Sequence, residues 1–446
     1  MFKIKPFITK KREITRFNLF KLTIRRTICL SFLVLLTTMS LLSNAMNNEQ
    51  VPPMEEKQVE NLALVKKQIH RIDSFDTFLG VTIKDVKVGW ESYGNLNDTK
   101  SNAVLITHYF TGSSHAAGKY KHDDAEPGYW DSIIGPGKAI DTNKFFVISV
   151  DSLVNISAHD PNVHTTGPAS INPDTGKPYG LSFPIVTMRD FVNVQKSVLD
   201  SLGIETLHAV LGPSMGSMQA IEWASAYPDK VKRLVSVIGS ASSDPWTSAA
   251  LEQWTIPIKL DRNWNEGNYY SGKPPIEGLT AALMFITQSA LHPKFFAQIG
   301  EQLNYKPLEE AASKSILAKH SINQWLYDRA KERAELMDAN HLLYLVKANQ
   351  LFMTGHGDSL RQGLANIKAK TLFIPSADDL LLMPYHAKMA HDILRTVSPD
   401  NTHQYTELSA GLGHLDGVSA ISQQAQLIKS FLESDASNTY SEKIDE

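Results

Sequence analysis

Short apolar runs alternate with amphipathic segments along most of the chain. Residues 81–93 alternate between apolar and polar positions and run into a turn rich in Asn and Asp, which predicts a strand. Apolar positions at helical spacing predict helices over residues 189–202 and 215–227, while residues 153–185, rich in Pro, Gly, Asn and His, predict a long loop. Compact apolar runs predict further, buried strands at residues 102–110, 144–150, 208–211, 231–238, 371–375 and 404–408.

Strands that alternate with helices predict an α/β fold, in which a mostly parallel sheet is covered by helices on both faces. Between residues 242 and 365 the pattern changes to helical segments rich in aromatic side chains. We therefore expect an inserted helical cap at residues 242–365. It would separate the two parts of one core, residues 46–241 and 366–435, and residues 436–446 would form a polar tail.

The N-terminal segment has a different composition from the rest of the chain. Basic residues dominate up to Arg26, an apolar run follows at residues 27–42, and Ser43-Asn44-Ala45 is a small-x-small site. This order is typical of a secretory signal peptide, so we predict that residues 1–45 are removed and that the protein is exported to the periplasm or secreted. Two alternatives stay open. In the first, the apolar run is an uncleaved membrane anchor, although it is shorter than the ~20 residues that a spanning helix prefers. In the second, translation starts at Met46.

Charge and cysteine content exclude several classes of function. The net charge is −3, so no long-range field favours nucleic acid or anionic lipid as a partner. The only cysteine, Cys29, lies in the predicted leader, which excludes disulfides, cysteine-rich zinc sites and a cysteine nucleophile from the rest of the chain. The sequence has no HExxH metal motif and no GxxxxGK[ST] phosphate-binding loop. We expect a small-molecule substrate, no nucleic-acid partner, no metal and no cofactor.

The string Gly212-Pro213-Ser214-Met215-Gly216 carries the clearest chemical signal. It follows the apolar run HAVL and precedes a predicted helix, the context in which a G-x-S-x-G turn presents its serine above a sheet. The N–H of Met215, at the start of that helix, can donate to an oxyanion. The motif indicates an α/β-hydrolase fold with Ser214 as nucleophile. The alternative is a serine that serves only the structure of the turn.

The same fold predicts that the serine is followed along the chain by an acid and then a histidine. Asp378 and Asp379 follow the predicted strand at residues 371–375, and we favour Asp379 as the acid. His414 lies in a glycine-containing loop near the C-terminus and is the predicted base, with a backbone-capping loop histidine as the alternative. A second oxyanion donor is expected after the early strand, where the N–H of Phe110 is the candidate and an ordinary buried aromatic is the alternative.

Longer strings resemble the homoserine O-acetyltransferase family, in the family's order across roughly residues 80–240 and 365–420. They are NAVLITHYFTGSSHAAG, GYWDSIIGPGKAIDTNKFFVIS, TTGPASINPDTGKPYG, FPIVTMRDFVNVQKSVLDSLGI, GPSMGSMQAIEWASAYPDKV and SADDLLLMP. The resemblance implies a helical cap, a homodimer formed through that cap, and an acyl-serine intermediate on Ser214 supported by His414 and Asp379. The family's acid begins a D-x-L-F-P-P string, which matches this chain from Asp379 onward.

Two further positions carry expectations from the same resemblance. Arg189 matches a family position and is a candidate to face a substrate carboxylate, with a structural salt bridge as the alternative. The family's catalytic histidine is normally followed by an aspartate that helps to hold the homoserine amine. Here Leu415 follows His414, and Asp416 comes one residue later. Arg189 and Asp416 are therefore the candidate substrate-binding residues.

The predicted leader and Leu415 together favour one function among those that remain. Acetyl-CoA is a cytoplasmic metabolite, so an exported transferase would lack its acyl donor. We therefore predict an exported serine ester hydrolase that acts through an acyl-serine. The alternative is a homoserine O-acetyltransferase of methionine biosynthesis with acetyl-CoA as donor, which a start at Met46 would favour. A non-catalytic binding protein on the same fold is disfavoured, because all three triad positions are filled.

Overall fold

The structure, a computed structural model, describes residues 64–434. One large sheet runs through these residues. All of these residues belong to one compact unit. The predicted signal peptide and the predicted polar tail lie outside the described residues. In chain order the strands are β1 (Gln68–Asp76), β2 (Thr82–Tyr93), β3 (Ala103–Ile106), β4 (Ile134–Gly135), β5 (Ile140–Asp141), β6 (Phe146–Val150), β7 (Ile171–Asn172), β8 (Lys177–Pro178), β9 (Ala209–Pro213), β10 (Arg233–Val237), β11 (Lys370–Ile374) and β12 (His403–Tyr405).

The large sheet has the strand order β1-β2-β6-β3-β9-β10-β11-β12. β1 pairs antiparallel with β2, and β2 pairs antiparallel with β6. Every pair from β6 to β12 is parallel, so the sheet is mostly parallel with an antiparallel edge. β4 with β5 and β7 with β8 form two short separate ribbons.

Helices cover both faces of the large sheet. Side chains of β3 alternate between two apolar clusters: Leu105 packs with residues of the first two helices, and Val104 packs with Ile428 of the last. Within residues 64–434, no helix combines the length and the apolar character needed to cross a membrane. The helices are α1 (Met188–Ser201), α2 (Met215–Ala226), α3 (Pro245–Leu260), α4 (Ile276–Ala290), α5 (Pro293–Gln302), α6 (Glu310–Ser313), α7 (Ser321–Ala334), α8 (Ala339–Gln350), α9 (Leu360–Ala365), α10 (Pro384–Val397), α11 (Asp416–Ser419) and α12 (Ala425–Glu433).

The predicted fold class is confirmed, with two differences in the large sheet, and the short ribbons β4–β5 and β7–β8 were not predicted. β1 was not predicted, because most of its side chains are exposed and it has no run of buried apolar positions. β3 ends at Ile106, whereas the apolar run predicted a strand up to Phe110. Residues 107–110 leave the sheet instead and form a loop beside the turn that carries Ser214.

The helical segment between β10 and β11 leaves the core and returns to it at one place. The N–H of Ser243 donates to the carbonyl of Phe352 at 2.8 Å, and the N–H of Thr354 donates to the carbonyl of Ala241 at 3.0 Å. Between these ends lie helices α3 to α8, which we call the cap. Inside the cap the buried carboxylate of Asp338 accepts hydrogen bonds from the hydroxyls of Tyr269 and Tyr270, at 2.8 and 3.1 Å.

Acid should destabilise this fold through buried histidines. Burial lowers the pKa of His208 to about 4, from an ordinary value of 6.5, while its Nε2 donates to the carbonyl of Leu432 at 2.7 Å. In the unfolded chain His208 binds a proton below about pH 6.5, whereas in the folded chain it stays neutral down to about pH 4. The unfolded state therefore binds more protons in this window, and stability should fall as pH falls.

The variant His208→Gln isolates this contribution, because a glutamine amide can donate to the Leu432 carbonyl but does not titrate. We expect its melting temperature to fall less between about pH 7 and pH 4.5 than that of the parent protein. His122→Gln, at an exposed position, is the matched control and should keep the parent's pH dependence. Equal pH dependence in all three proteins would contradict the assignment.

Candidate active site

Ser214 lies at the sharp turn between β9 and α2. Its φ of 58° and ψ of −122° form a backbone conformation that a residue with a side chain adopts only at a cost. The flanking glycines are required by a close approach: a Cβ on Gly212 would lie 2.2 Å from Thr107 Oγ1, and one on Gly216 would lie 2.0 Å from the Thr107 carbonyl oxygen. The Thr107 hydroxyl also donates to the carbonyl of Gly216 at 2.7 Å. The turn is therefore packed directly against the residue that follows β3.

His414 lies between Ser214 and Asp379. Its Nε2 is 2.7 Å from Ser214 Oγ, and its Nδ1 is 2.6 Å from Asp379 Oδ2. These distances fit a neutral imidazole that donates from Nδ1 to the carboxylate and accepts the serine hydroxyl at Nε2. The second carboxylate oxygen of Asp379 accepts from the N–H groups of Leu381 and Leu382, at 2.8 and 3.0 Å. All three side chains are buried, and the structure brings them into one hydrogen-bonded array.

Asp378, the other acid considered, lies outside this array. Its Oδ2 accepts from the hydroxyl of Ser409 at 2.9 Å, and its Oδ1 is 4.0 Å from Lys294 Nζ. The geometry therefore favours Asp379 over Asp378 as the partner of the histidine.

Asp416 holds the loop that carries His414. Its carboxylate accepts from the N–H of Leu412 at 2.9 Å, from the N–H of Ala410 at 3.1 Å and from the hydroxyl of Ser376 at 2.8 Å. The side chain is fully buried and does not line the pocket above Ser214. This corrects the prediction that Asp416 contacts the substrate: its oxygens are occupied by the loop they organise.

Arg189 is also placed away from the pocket. Its guanidinium pairs with the buried carboxylate of Glu222, with Arg189 Nε 2.6 Å from Glu222 Oε1, and it stacks on the ring of Phe78 at 5.4 Å. Glu222 Oε2 accepts in turn from the N–H of Gly355 at 2.8 Å. The predicted substrate contact is therefore wrong for this geometry, and the salt bridge that stood as its alternative is present.

The two predicted oxyanion donors, the N–H groups of Met215 and Phe110, both belong to residues that line the pocket beside Ser214. Within residues 64–434 neither N–H donates a hydrogen bond to another group. The peptide that precedes Phe110 is fixed by His108, whose Nδ1 donates to the carbonyl of Tyr109 at 2.8 Å. The N–H of Gly112 donates to the same carbonyl at 3.0 Å. Since the C=O and N–H of one peptide point in opposite directions, His108 and Gly112 together set the direction of the Phe110 N–H.

His108 is itself held in one state. Its Nε2 accepts from the N–H of Ser152 at 3.0 Å, so the ring is a neutral Nδ1–H tautomer. Burial lowers its pKa, which keeps it neutral. This role of His108 was not predicted from the sequence, where its only signal is its position two residues before Phe110.

The array opens into a pocket with an almost entirely apolar lining. The pocket holds about 640 Å³ of empty space, including its mouth. The core side of its wall includes Leu381, Leu382 and Leu415, and the cap contributes Trp254 and Ile286. Leu415 directly follows His414, so an apolar side chain lines the wall where the resembling family has an aspartate. Aromatic residues of the cap were noted in the sequence, but the ones that line the pocket could not be singled out.

Among the described residues, no group of three or more His, Cys, Asp or Glu side chains is arranged to hold a metal ion.

Comparisons with known proteins agree with this fold. The α/β hydrolase fold family matches residues 125–388. Homoserine O-acetyltransferase from Methanococcoides burtonii is 38% identical to this chain, over 81% of it and 72% of the relative. The enzyme of the same name from Deferribacter desulfuricans is 35% identical, over 83% of this chain and 96% of its own length.

Two solved structures are similar along most of the chain. Esterase E22 superposes with a TM-score of 0.81 at 62% identity, covering 83% of this chain and 100% of that structure. Homoserine O-acetyltransferase from Bacillus anthracis superposes with a TM-score of 0.80 at 36% identity, covering 85% and 100%. By its sequence relatives, its fold and its structural neighbours, the chain belongs to the homoserine O-acetyltransferase family of α/β-hydrolase enzymes.

Proposed function

We propose that this enzyme is a serine ester hydrolase that transfers an acyl group from an ester to Ser214 and then to water. The observation that carries the proposal is the hydrogen-bonded array of Ser214, His414 and Asp379 beneath an apolar pocket, with Leu415 in its wall. The array supports an acyl-serine intermediate, and the lining supports an acceptor that needs no charged recognition group.

In the first step His414 Nε2 takes the proton of Ser214 as the serine oxygen attacks the ester carbonyl. Asp379 stabilises the imidazolium that forms and holds its Nδ1–H in place. The N–H groups of Met215 and Phe110 stabilise the negative charge on the carbonyl oxygen. His414 then protonates the alcohol, which leaves, and the acyl group stays on Ser214.

In the second step His414 takes a proton from water, which attacks the acyl-serine carbonyl. His414 then returns a proton to Ser214 Oγ as the serine leaves and a carboxylic acid is released. Water needs no binding group of its own. Homoserine would bring an ammonium group, and burying that charge against Leu415 without a partner would be costly. Leu415 therefore favours water as the acyl acceptor.

A homoserine O-acetyltransferase is the second candidate, and the names of the relatives favour it. The curated relatives from Methanococcoides burtonii and Deferribacter desulfuricans both have that name, as does one of the two structural neighbours. These names support the transferase alternative better than they support an exported hydrolase. The 62% identity with esterase E22 supports the hydrolase. The two candidates share every step up to the acyl-serine and differ only in the acceptor.

Export is a separate proposal that bears on this choice, because acetyl-CoA would be absent outside the cytoplasm. It rests on the order of basic, apolar and small residues in positions 1–45, outside the described residues. We expect mass spectrometry of the native protein to find an N-terminus near Met46 in the exported fraction. A full-length, cytoplasmic chain would contradict export and favour the transferase.

The purified enzyme should hydrolyse p-nitrophenyl acetate and form little O-acetylhomoserine from acetyl-CoA and homoserine. Ser214→Ala should lower kcat by about 10⁴-fold or more and abolish labelling by a fluorophosphonate probe. Efficient O-acetylhomoserine formation with negligible ester hydrolysis would overturn the hydrolase proposal. Absence of a probe adduct on Ser214 in folded protein would overturn both candidates in favour of a binding protein.

Replacing Leu415 tests why water is the acceptor. Leu415→Asp places a carboxylate beside His414, and we expect it to raise the ratio of acyl transfer to homoserine over hydrolysis. Leu415→Asn has the same shape without the charge and is the matched control. If both variants leave the ratio at the parent value, Leu415 does not select the acceptor.

Removal of the His108 ring should impair the oxyanion site without removing any group of the triad. In His108→Leu we expect kcat for p-nitrophenyl acetate to fall by about 10- to 100-fold with little change in KM, because the Phe110 N–H loses one of the two hydrogen bonds that fix its direction. His108→Gln retains a donor for the Tyr109 carbonyl and should recover part of the loss. A fall in melting temperature with unchanged kcat would show that His108 is only structural.

A further inference from the structure

The side chain of Asn155 is completely buried in the loop after β6, and the proposed mechanism does not use it. Its Nδ2 donates to the carbonyl of Gly112 at 3.0 Å and lies 3.4 Å from His108 Nε2. Its Oδ1 accepts from the N–H of Ser157 at 3.0 Å. Since the donor faces a carbonyl and the acceptor faces an N–H, the orientation of this amide is fixed.

Asn155 thereby contacts both residues that orient the Phe110 N–H. The ring of His108 and the N–H of Gly112 both donate to the carbonyl of Tyr109, at 2.8 and 3.0 Å. That carbonyl belongs to the same peptide as the Phe110 N–H. Asn155 binds the carbonyl of Gly112 and touches His108 at the ring nitrogen opposite the one that donates. One side chain therefore supports both hydrogen bonds behind the oxyanion loop.

The cap holds the backbone of Asn155. His341, on cap helix α8, donates from its Nδ1 to the Asn155 carbonyl at 2.8 Å, and its Nε2 accepts from the N–H of Ala169 at 3.1 Å. Burial lowers the pKa of His341, which keeps the ring in this neutral form. The N–H of Asp338, directly before the same helix, donates to the carbonyl of Ile156 at 2.9 Å. The cap therefore binds two successive carbonyls of the loop.

Val154, directly before Asn155, has a φ of 50°. A β-branched residue adopts this left-handed conformation only at a cost, and such strain persists only where the surrounding structure imposes it. The N–H of Val154 donates to the carbonyl of Thr166 at 3.0 Å. The next residue, Gly167, packs so closely on His341 that a Cβ would lie 2.5 Å from the ring carbon Cε1. The position of Asn155 is therefore set by tertiary contacts, those of the cap among them, and not by local preference.

We propose that Asn155 is a positioning residue through which the cap sets the oxyanion site. The connection runs from His341 of the cap to the Asn155 carbonyl, and from the Asn155 amide to the loop that carries the Phe110 N–H. Correct seating of α8 is then a requirement for the chemical step as well as for the shape of the pocket. This inference rests on the proposed acyl-serine chemistry, but not on whether water or homoserine receives the acyl group.

Asn155→Leu removes the amide and keeps a side chain of similar volume. We expect kcat for p-nitrophenyl acetate, per active serine titrated with a fluorophosphonate, to fall by about 10- to 100-fold with little change in KM. Trifluoroacetone forms a tetrahedral adduct whose oxyanion lies in this site, so its Ki should rise by a similar factor. Because Asn155 and His108 act on the same peptide, the double variant Asn155→Leu/His108→Leu should lose less than the product of the two single losses.

His341→Leu tests the part of the cap without changing the oxyanion loop, and it should lower kcat by a smaller factor than Asn155→Leu. His341→Asn retains a donor at the place of Nδ1 and should recover part of that loss. Asn340→Leu is the matched control, because it removes a buried amide of the same helix that bonds to Gly267 and Trp264 and not to the loop. The control should have a lower melting temperature and an unchanged kcat per active serine.

Unchanged kcat and Ki in both Asn155→Leu and His341→Leu, with only a lower melting temperature, would overturn the link and leave these residues with a structural role. An equal loss of kcat in Asn340→Leu would also overturn it, since general loosening of the cap would then explain the effect. Failure of the parent to hydrolyse p-nitrophenyl acetate would overturn the proposed hydrolase function instead, and acyl transfer to homoserine would then report on the same variants.

Discussion

The contact between Thr107 and the turn that carries Ser214 is the constraint on which the rest of the site depends. Neither Gly212 nor Gly216 has room for a Cβ against Thr107, so this contact can form only with glycine at both positions. It fixes the nucleophile and the loop after β3 in one unit. The two predicted oxyanion donors, from Met215 and Phe110, lie on opposite sides of this contact, and their spacing follows from it.

A second group of interactions holds the loop after β3 from its far end. The side chain of Asp151, which directly follows β6, accepts from the N–H of Ser114 at 2.7 Å. Lys67 lies 2.7 Å from Glu91 and 3.6 Å from Asp151, and all three side chains are buried or nearly so. Removal of one member would leave an uncompensated buried charge. The loop that carries Phe110 is therefore fixed by a tight backbone contact at one end and by buried charges at the other.

The sequence was sufficient for the features that depend on local order along the chain. Ser214, Asp379 and His414 each follow a predicted strand or lie in a glycine-containing loop, and the fold determines their order. The roles of Arg189 and Asp416 depend on partners distant in sequence. Glu222 neutralises the first, and Ser376 with the backbone of the histidine loop occupies the second. No spacing rule reveals such partners, and β1 was missed because an exposed edge strand has no apolar pattern.

Residues Ala241–Ser243 form hydrogen bonds with Phe352–Thr354, so the cap begins and ends at the same place on the core. Because both ends of the insertion leave the core side by side, its length and sequence can change without altering the register of β10 and β11. The core supplies the serine, the histidine, the acid, the oxyanion loop and one side of the pocket wall, while the cap supplies Trp254 and Ile286 to the other side. The triad thus lies entirely in the core, whereas the pocket above it is shared between core and cap. Changes within residues 244–351 can therefore reshape the cap side of the pocket without displacing Ser214, His414 or Asp379.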